Sequence, residues 1–154
     1  MSVVLARESV AAIWDEAAPL ALAHHHEVGA LPDEDFEMNR EGYSKVEAAG
    51  ITRVFTAREA DGKLVGYAVL MSCPGTLQYR KLNWATQDVL YLSPLHRGLL
   101  SLRFLIYQDL WLKEEGFHVV YRHDTTSKPY GRILLHIGYR LNDRGYVRDL
   151  REVA

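Results

Sequence analysis

The 154-residue sequence predicts a mixed α/β (α+β) fold in a single domain, with a mostly antiparallel central sheet flanked by helices. Three observations carry that expectation. The chain opens with apolar residues at helical spacing, changes to period two around an Asp61-Gly62 pair, and from Gln87 onward alternates strand-like with helix-like segments. The length is enough to bury one core without staples. Hydrophobic residues at 48% and charged residues at 25% exclude a disordered, coiled-coil or collagen-like chain.

Residues 2–6, SVVLA, form a short first strand. From Val10 to Glu27 the spacing is helical: Val10, Ile13, Trp14, Ala17, Ala21 and Leu22 share a stripe, and Ser9 is placed to cap it. Pro19 lacks a backbone donor and crowds the preceding turn, so the helix is expected to kink or divide there. The turn-rich GALPDEDF leads to a second helix, Arg40 to Ala49, stopped by Gly50. Ile51–Arg58 and Leu64–Met71 are strands joined through AREADGK, whose Asp61-Gly62 pair is a strong hairpin signal. Leu77–Tyr79 either extends the second strand or forms a loop, and Trp84–Leu92 completes the meander. Gly98–Glu115 is a long helix ended by Gly116. A strand from Phe117 to His123, a helix from Lys128 to Ile137 closed by Gly138, and one or two strands from Tyr139 to Leu150 finish the chain.

The formal net charge is -2, from 18 Lys plus Arg against 20 Asp plus Glu, so no whole-protein field favours a nucleic-acid backbone. The lone Cys73 excludes an internal disulfide and is read as inert packing at a strand end. No apolar run approaches the ~20 residues that cross a bilayer, and the N-terminus has no basic region followed by an apolar one. A cytoplasmic protein with no membrane or nucleic-acid partner is expected. His24, His25 and His26 are consecutive on a helix and point about 100 degrees apart, so no metal site is expected from them.

The segment QDVLYLSPLHRGLLSLRFL runs from an apolar strand through a proline step and an Arg-Gly turn into a helix without a spacer. Such a junction directs backbone N–H groups and a cationic side chain at one point, which suits an anionic pyrophosphate. The plainer alternative is a strand-to-helix turn with core leucines.

Three ordered blocks, TRVFTAREADGKLVGYAVL, DVLYLSPLHRGLLSLRFL and YGRILLHIGYRLNDRGYVRDL, resemble the GNAT superfamily of N-acetyltransferases, which transfer an acyl group from acyl-CoA to an amine. Within it the chain looks most like a divergent subset found in phage and prophage gene clusters. The resemblance implies one acyl-CoA N-acyltransferase-like domain over residues 1–154, with acetyl-CoA as co-substrate. The acceptor it implies is an amine-bearing small molecule or protein. Arg97, Gly98, Leu99, Leu100, Ser101 and Leu102 correspond to the family's pyrophosphate turn, Arg-x-x-Gly-x-Gly or Ala, with Leu100 and Leu102 replacing its two later small residues. The backbone of Leu90, Tyr91 and Leu92 corresponds to the segment that receives the acyl group.

An attacking amine must be neutral, and a lysine-like amine near ~10.4 is mostly protonated at neutral pH, so a base is useful. Period two places Asp88 on one strand face with Leu90 and Leu92, which makes it the leading base candidate. Satisfying a backbone donor or pairing with an arginine is its alternative role. The family's acidic tyrosine, four residues before the helix-ending glycine, is replaced here by Leu134; Tyr130, one turn earlier, is the substitute candidate, against ordinary packing. His123, at the end of the strand the family splays, either relays a proton or caps a strand end. The early helices with His24–His26, Glu27 and PDEDFE correspond to the acceptor side. A catalytically degenerate binding or regulatory module on the same fold is the competing reading, as is a homodimer built through Tyr139, Tyr146 and Val147 beside Arg140, Arg144 and Arg148.

Overall fold

Ser9 turns the chain from a strand into a helix. In a computed structural model that describes residues 2–29, 31, 34–74 and 78–152, strand β1 (Val3–Glu8) runs directly into helix α1 (Val10–Val28). The extended Ser9 places its hydroxyl 3.1 Å from Ala12 N, satisfying one of the amides that the first turn leaves open. Helix α2 (Arg40–Ala48) is capped by Asn39, whose Oδ1 accepts from Gly42 N at 2.7 Å. The chain leaves this helix at Gly50, where φ is 72°, a left-handed conformation that glycine adopts without strain.

Strands β2 (Thr52–Glu59), β3 (Leu64–Pro74), β4 (Asn83–Leu92) and β5 (Val119–Tyr121) join β1 in one sheet of order β1-β2-β3-β4-β5. The first four pair antiparallel, and β5 joins β4 in parallel after crossing through helix α3 (Leu99–Glu114). Helix α4 (Gly131–His136) follows. Strand alternation divides the core between the two faces. Val54, Tyr67, Val69 and Tyr91 pack with Val10, Ile13, Ala17 and Ala21 of α1. Phe55, Ala68, Leu70, Ala85 and Leu92 pack with Phe104 and Leu112 of α3.

Close approach of β3 to β4 depends on Gly66, where a Cβ would lie 2.5 Å from Leu92 Cδ1 and 2.9 Å from the Tyr91 carbonyl oxygen. The leucine methyl can move, but the backbone oxygen cannot. Gly66→Ala is therefore expected to destabilise the fold by about 1–3 kcal/mol, measured as a lower urea midpoint at unchanged slope.

The elements differ from the sequence expectation in several places. Helix α1 passes through Pro19 without dividing, because Pro19 and Asp15, whose carbonyl loses its donor, both lie on the exposed side. Leu20, not Leu22, packs on the core. Cys73 lies in β3 and is exposed, so it does not serve as packing. The Leu77 end of the expected Leu77–Tyr79 segment lies outside the described residues, as do Pro32 and Asp33 of PDEDFE.

The largest departure is at the C-terminal end. The strand expected from Phe117 to His123 is only three residues long, since Phe117 N still bonds the α3 carbonyl of Leu112 and Arg122 turns inward. The helix expected from Lys128 begins at Gly131, where Asp124 Oδ1 accepts from Tyr130 N at 2.7 Å and so sets the first turn. The strands expected over Tyr139–Leu150 do not form. Tyr139 is held against α3 by Asp109 and Arg122, the following Asn142-Asp143-Arg144-Gly145 favours turns, and Leu141, Tyr146 and Val147 stay largely exposed. The C-terminal strands that the alternative homodimer reading invokes are therefore absent among the described residues.

Candidate functional site

The site is built where β4 and β5 part. Only Trp84, Ala85 and Thr86 of β4 pair with β5, so the outer edge of β4 from Gln87 onward has no strand beside it. The inner edge continues on β3. Ser93 N bonds Val65 O at 2.8 Å, and alternation from that pair gives the β3-directed bonds to Tyr91 and Val89. The N–H groups of Leu90 and Leu92 consequently face the open gap. Of the three backbone positions expected to receive an acyl group, Tyr91 spends its amide on β3.

A β-bulge also alters the expected face of Asp88. Val69 pairs with Val89 and Leu70 with Gln87, which leaves Asp88 as the extra residue on β4. Leu90 and Leu92 pack on the α3 side, whereas Asp88 meets Tyr43 of α2 on the opposite side. The expectation that Asp88 shares a face with Leu90 and Leu92 is thus corrected: strict period two fails across the inserted residue.

Bulge and gap open into one cavity of about 1040 Å³ that passes from the α1–α2 side, around β4, to the starts of α3 and α4. Asp88, Leu90, Tyr91, Leu92, Arg97, Gly98, Ser101, His123 and Tyr130 all line it. Leu99, Leu100 and Leu102 are not among its walls. Leu99 is exposed, and Leu100 packs against the α3-side core.

At the cofactor-like end, Gly98 caps α3 with φ 94° and ψ -124°, a conformation closed to other residues, and no side chain caps the first turn. The Leu99 and Leu100 amides thus have no intrahelical acceptor. Arg97 is less free than a phosphate ligand. Its guanidinium makes a bidentate bridge to Glu27 at 2.6 and 2.7 Å, and its Nε donates to Leu92 O at 2.9 Å. The bridge ties the end of α1 to the turn. The bonds from Arg97 hold the Glu27 carboxyl below the ordinary carboxylate range against the opposing effect of burial. Because the folded value is the depressed one, the bridge stabilises fully above the ordinary value of ~4.3 and is lost as pH falls through the depressed value. The difference in thermal midpoint between wild type and Glu27→Gln is expected to be widest near neutral pH and to close in acid.

At the centre, the Tyr43 hydroxyl donates to Asp88 Oδ2 at 2.5 Å. Burial, and then this bond, raise the Tyr43 hydroxyl above its ordinary value, so it remains a donor at neutral pH. Across the gap, the Tyr130 hydroxyl lies 2.5 Å from His123 O and 3.1 Å from Gln87 Oε1. Burial raises its pKa, while the Gln87 bond and the charge of Arg122 act in the opposite sense. Tyr130 is not one turn up a helix as expected; it is the residue that precedes α4. His123 lies two residues beyond β5, and its backbone oxygen anchors Tyr130.

Behind Tyr130 is a buried polar network that sequence reasoning missed. The fully buried Arg122 side chain bonds Asp109 Oδ1 at 2.6 Å, Tyr139 Oη at 2.9 Å and Gln108 Oε1 at 3.0 Å, and reaches Gln87 Oε1 at 3.5 Å. A signal for it is present in the sequence: Gln108-Asp109 interrupts the otherwise apolar centre of LLSLRFLIYQDLWL. His24, on α1, has its pKa lowered by burial and rests against Tyr91 with ring centroids 5.5 Å apart.

The sequence matches no protein-family model and no curated protein. Solved structures match along nearly its whole length. A ribosomal-protein-alanine N-acetyltransferase from Brucella melitensis biovar Abortus 2308 superposes with a TM-score of 0.72 at 18% identity, covering 97% of this chain and 100% of that one. A predicted acetyltransferase from Clostridium acetobutylicum, solved with acetyl-CoA, gives 0.72 at 12% identity, with 98% of each chain covered. An aminoglycoside acetyltransferase from an uncultured soil metagenomic sample, in complex with sisomicin, gives 0.70 at 14% identity, covering 96% and 93%. The mixed α+β sheet with its flanking helices shares its fold with these solved structures. More particularly, it is the fold of the GNAT N-acetyltransferases, as the three sequence blocks imply.

Proposed function

We propose that this protein, as a single domain over residues 1–154, transfers an acetyl group from acetyl-CoA to an amine. The observation that carries this reading is the continuous cavity around the freed edge of β4, with Asp88 on one side and Tyr130 on the other. Residues at the cavity fit the cofactor: the open first turn of α3 behind Gly98 suits a pyrophosphate, and the free β4 edge at Leu90 and Leu92 suits an extended amide-bearing arm. When bound, acetyl-CoA supplies an acyl group already activated as a thioester.

This chain's residues divide the remaining work. Asp88 accepts the proton that an ammonium must lose, directly or through one water, and the bond from Tyr43 fixes its orientation. The N–H groups of Leu90 and Leu92 donate to oxygen as charge develops on it. Tyr130, kept protonated by burial, delivers a proton to the departing sulfur. Gln87, with Arg122 behind it, holds that hydroxyl in place. No helix among the described residues is long and apolar enough to cross a membrane.

Isotope-labelled acetyl-CoA offered with a panel of amines and proteins is expected to yield a labelled amide. Folded protein that labels no acceptor contradicts the proposal. Tyr130→Phe is expected to lower kcat by roughly 10²-fold with little change in the KM for acetyl-CoA, as steady-state kinetics would show.

A further inference from the structure

The cavity is polarised. Its α3–α4 end carries Lys128 and the open helix turn, with Arg97 paired to Glu27, whereas no lysine or arginine among the described residues lines the α1–α2 end, Arg40 standing outside it within 3.9 Å of Asp15. Two carboxylates lie at that second end: Asp88 at the inner wall and the exposed Glu37 at the rim. Charge complementarity therefore directs an anionic cofactor to one end and a cation to the other.

The walls around Asp88 say more about that cation. Ile13, Trp14, Met38, Tyr43, Tyr67 and Val89 form them, so the carboxylate stands among aromatic and aliphatic surface. Trp14 and Tyr43 meet at 6.1 Å with their planes tilted by 58°, and the Arg40 guanidinium lies 5.7 Å from the Trp14 ring centroid, so this aromatic pair already packs with a flat cationic group. A polyamine or aminoglycoside needs several carboxylates, and a sugar phosphate needs a cation. Neither requirement is met beside Asp88. A lysine-bearing peptide would bring polar backbone against walls with few groups to bond it.

Resting on the acetyl-transfer reading, we infer that the acceptor is a small primary amine with a flat apolar body, an arylalkylamine in chemical terms. Its amino group meets Asp88 and its body packs against Trp14 and Tyr43. In the transfer, the ammonium first releases one proton to solvent by way of Asp88; the neutral nitrogen then forms a bond to the acetyl carbon, the carbon–sulfur bond breaks, the nitrogen's second proton passes to Asp88, the thiolate takes a proton from Tyr130, and the tyrosinate is reprotonated as Asp88 gives up its proton.

The test pairs binding with turnover. Full-length protein is titrated with 2-phenylethylamine, ethanolamine, glucosamine 6-phosphate, sisomicin and a lysine-containing peptide by calorimetry, and release of the CoA thiol is followed in parallel. Burial of the ring should make 2-phenylethylamine at least ~10-fold tighter than ethanolamine and the best acceptor of the five. Asp88→Asn, which changes charge but hardly any volume, should weaken 2-phenylethylamine binding at least ~10-fold even without acetyl-CoA. Preferential binding without thiol release upholds the amine class and overturns acetyl transfer. Equal or tighter binding of any polar probe, or binding unaffected by Asp88→Asn, overturns the amine class, and thiol release with that other probe leaves acetyl transfer standing.

Discussion

Asp88→Asn is expected to reduce kcat/KM for amine acetylation by about 10²- to 10⁴-fold, the range typical of losing a positioned general base. The structure gives the reason for so large an effect. The bulge at Asp88 turns its carboxylate away from Leu90 and Leu92 and towards the α1–α2 side, where Tyr43 fixes it at 2.5 Å. Asparagine keeps the shape and the bond from Tyr43 but cannot accept a proton from an ammonium. The side chain is exposed to the cavity, so unfolding stability should move by no more than roughly 1 kcal/mol. Because the missing function is deprotonation, the variant should recover part of its rate as pH rises towards the pKa of the amine, near ~10. A variant as active as wild type at neutral pH, measured with the same acceptor, assigns the base elsewhere.

Arg122→Met is expected to have the largest effect on stability, about 2–4 kcal/mol, because it removes the buried half of an ion pair and leaves the buried Gln108 and the partly exposed Asp109 without their guanidinium partner. The Arg122 side chain is wholly buried, and its guanidinium joins α3 through Gln108 and Asp109, the C-terminal segment through Tyr139, and β4 through Gln87. Methionine fills the space and satisfies none of these groups. Guanidinium chloride unfolding measures the loss. Lysine should rescue little, since one ammonium cannot reproduce the guanidinium's several fixed donors. The double variant Arg122→Met with Asp109→Leu should regain part of the loss, because the abandoned carboxylate is removed as well. If Arg122→Met loses less than 1 kcal/mol, the network is incidental to the fold.

Local patterns in the sequence carry the fold well where contacts are near in sequence. Asp61-Gly62 joins β2 to β3, Ser9 and Asn39 cap their helices, and the Arg97-Gly98 turn precedes α3. Patterns fail where a distant partner decides. Tyr139–Leu150 alternates as a strand does, yet Tyr139 is drawn to Asp109, thirty residues away, and no strand forms. The bulge at Asp88 leaves no mark on an alternating sequence because it exists only in the pairing of β4 with β3.

The site was legible in its backbone and obscure in its partners. Leu90, Leu92, Gly98, Asp88 and Tyr130 meet around one cavity. By contrast, the Arg97–Glu27 bridge spans 70 residues and the Tyr43–Asp88 bond spans 45, distances over which no spacing rule acts. Leu99, Leu100 and Leu102 hold motif positions but are not among the cavity's walls, although the Leu99 and Leu100 amides stay open at the α3 turn.

The most direct test of the central claim is a thermal-unfolding titration of the wild-type chain with acetyl-CoA. Binding at the α3 turn and the freed β4 edge predicts a saturable rise in midpoint, equivalent to ~2.7 kcal/mol when the ligand reaches 100 times its Kd. A midpoint that stays constant to millimolar acetyl-CoA, in protein shown to be folded, would contradict the account.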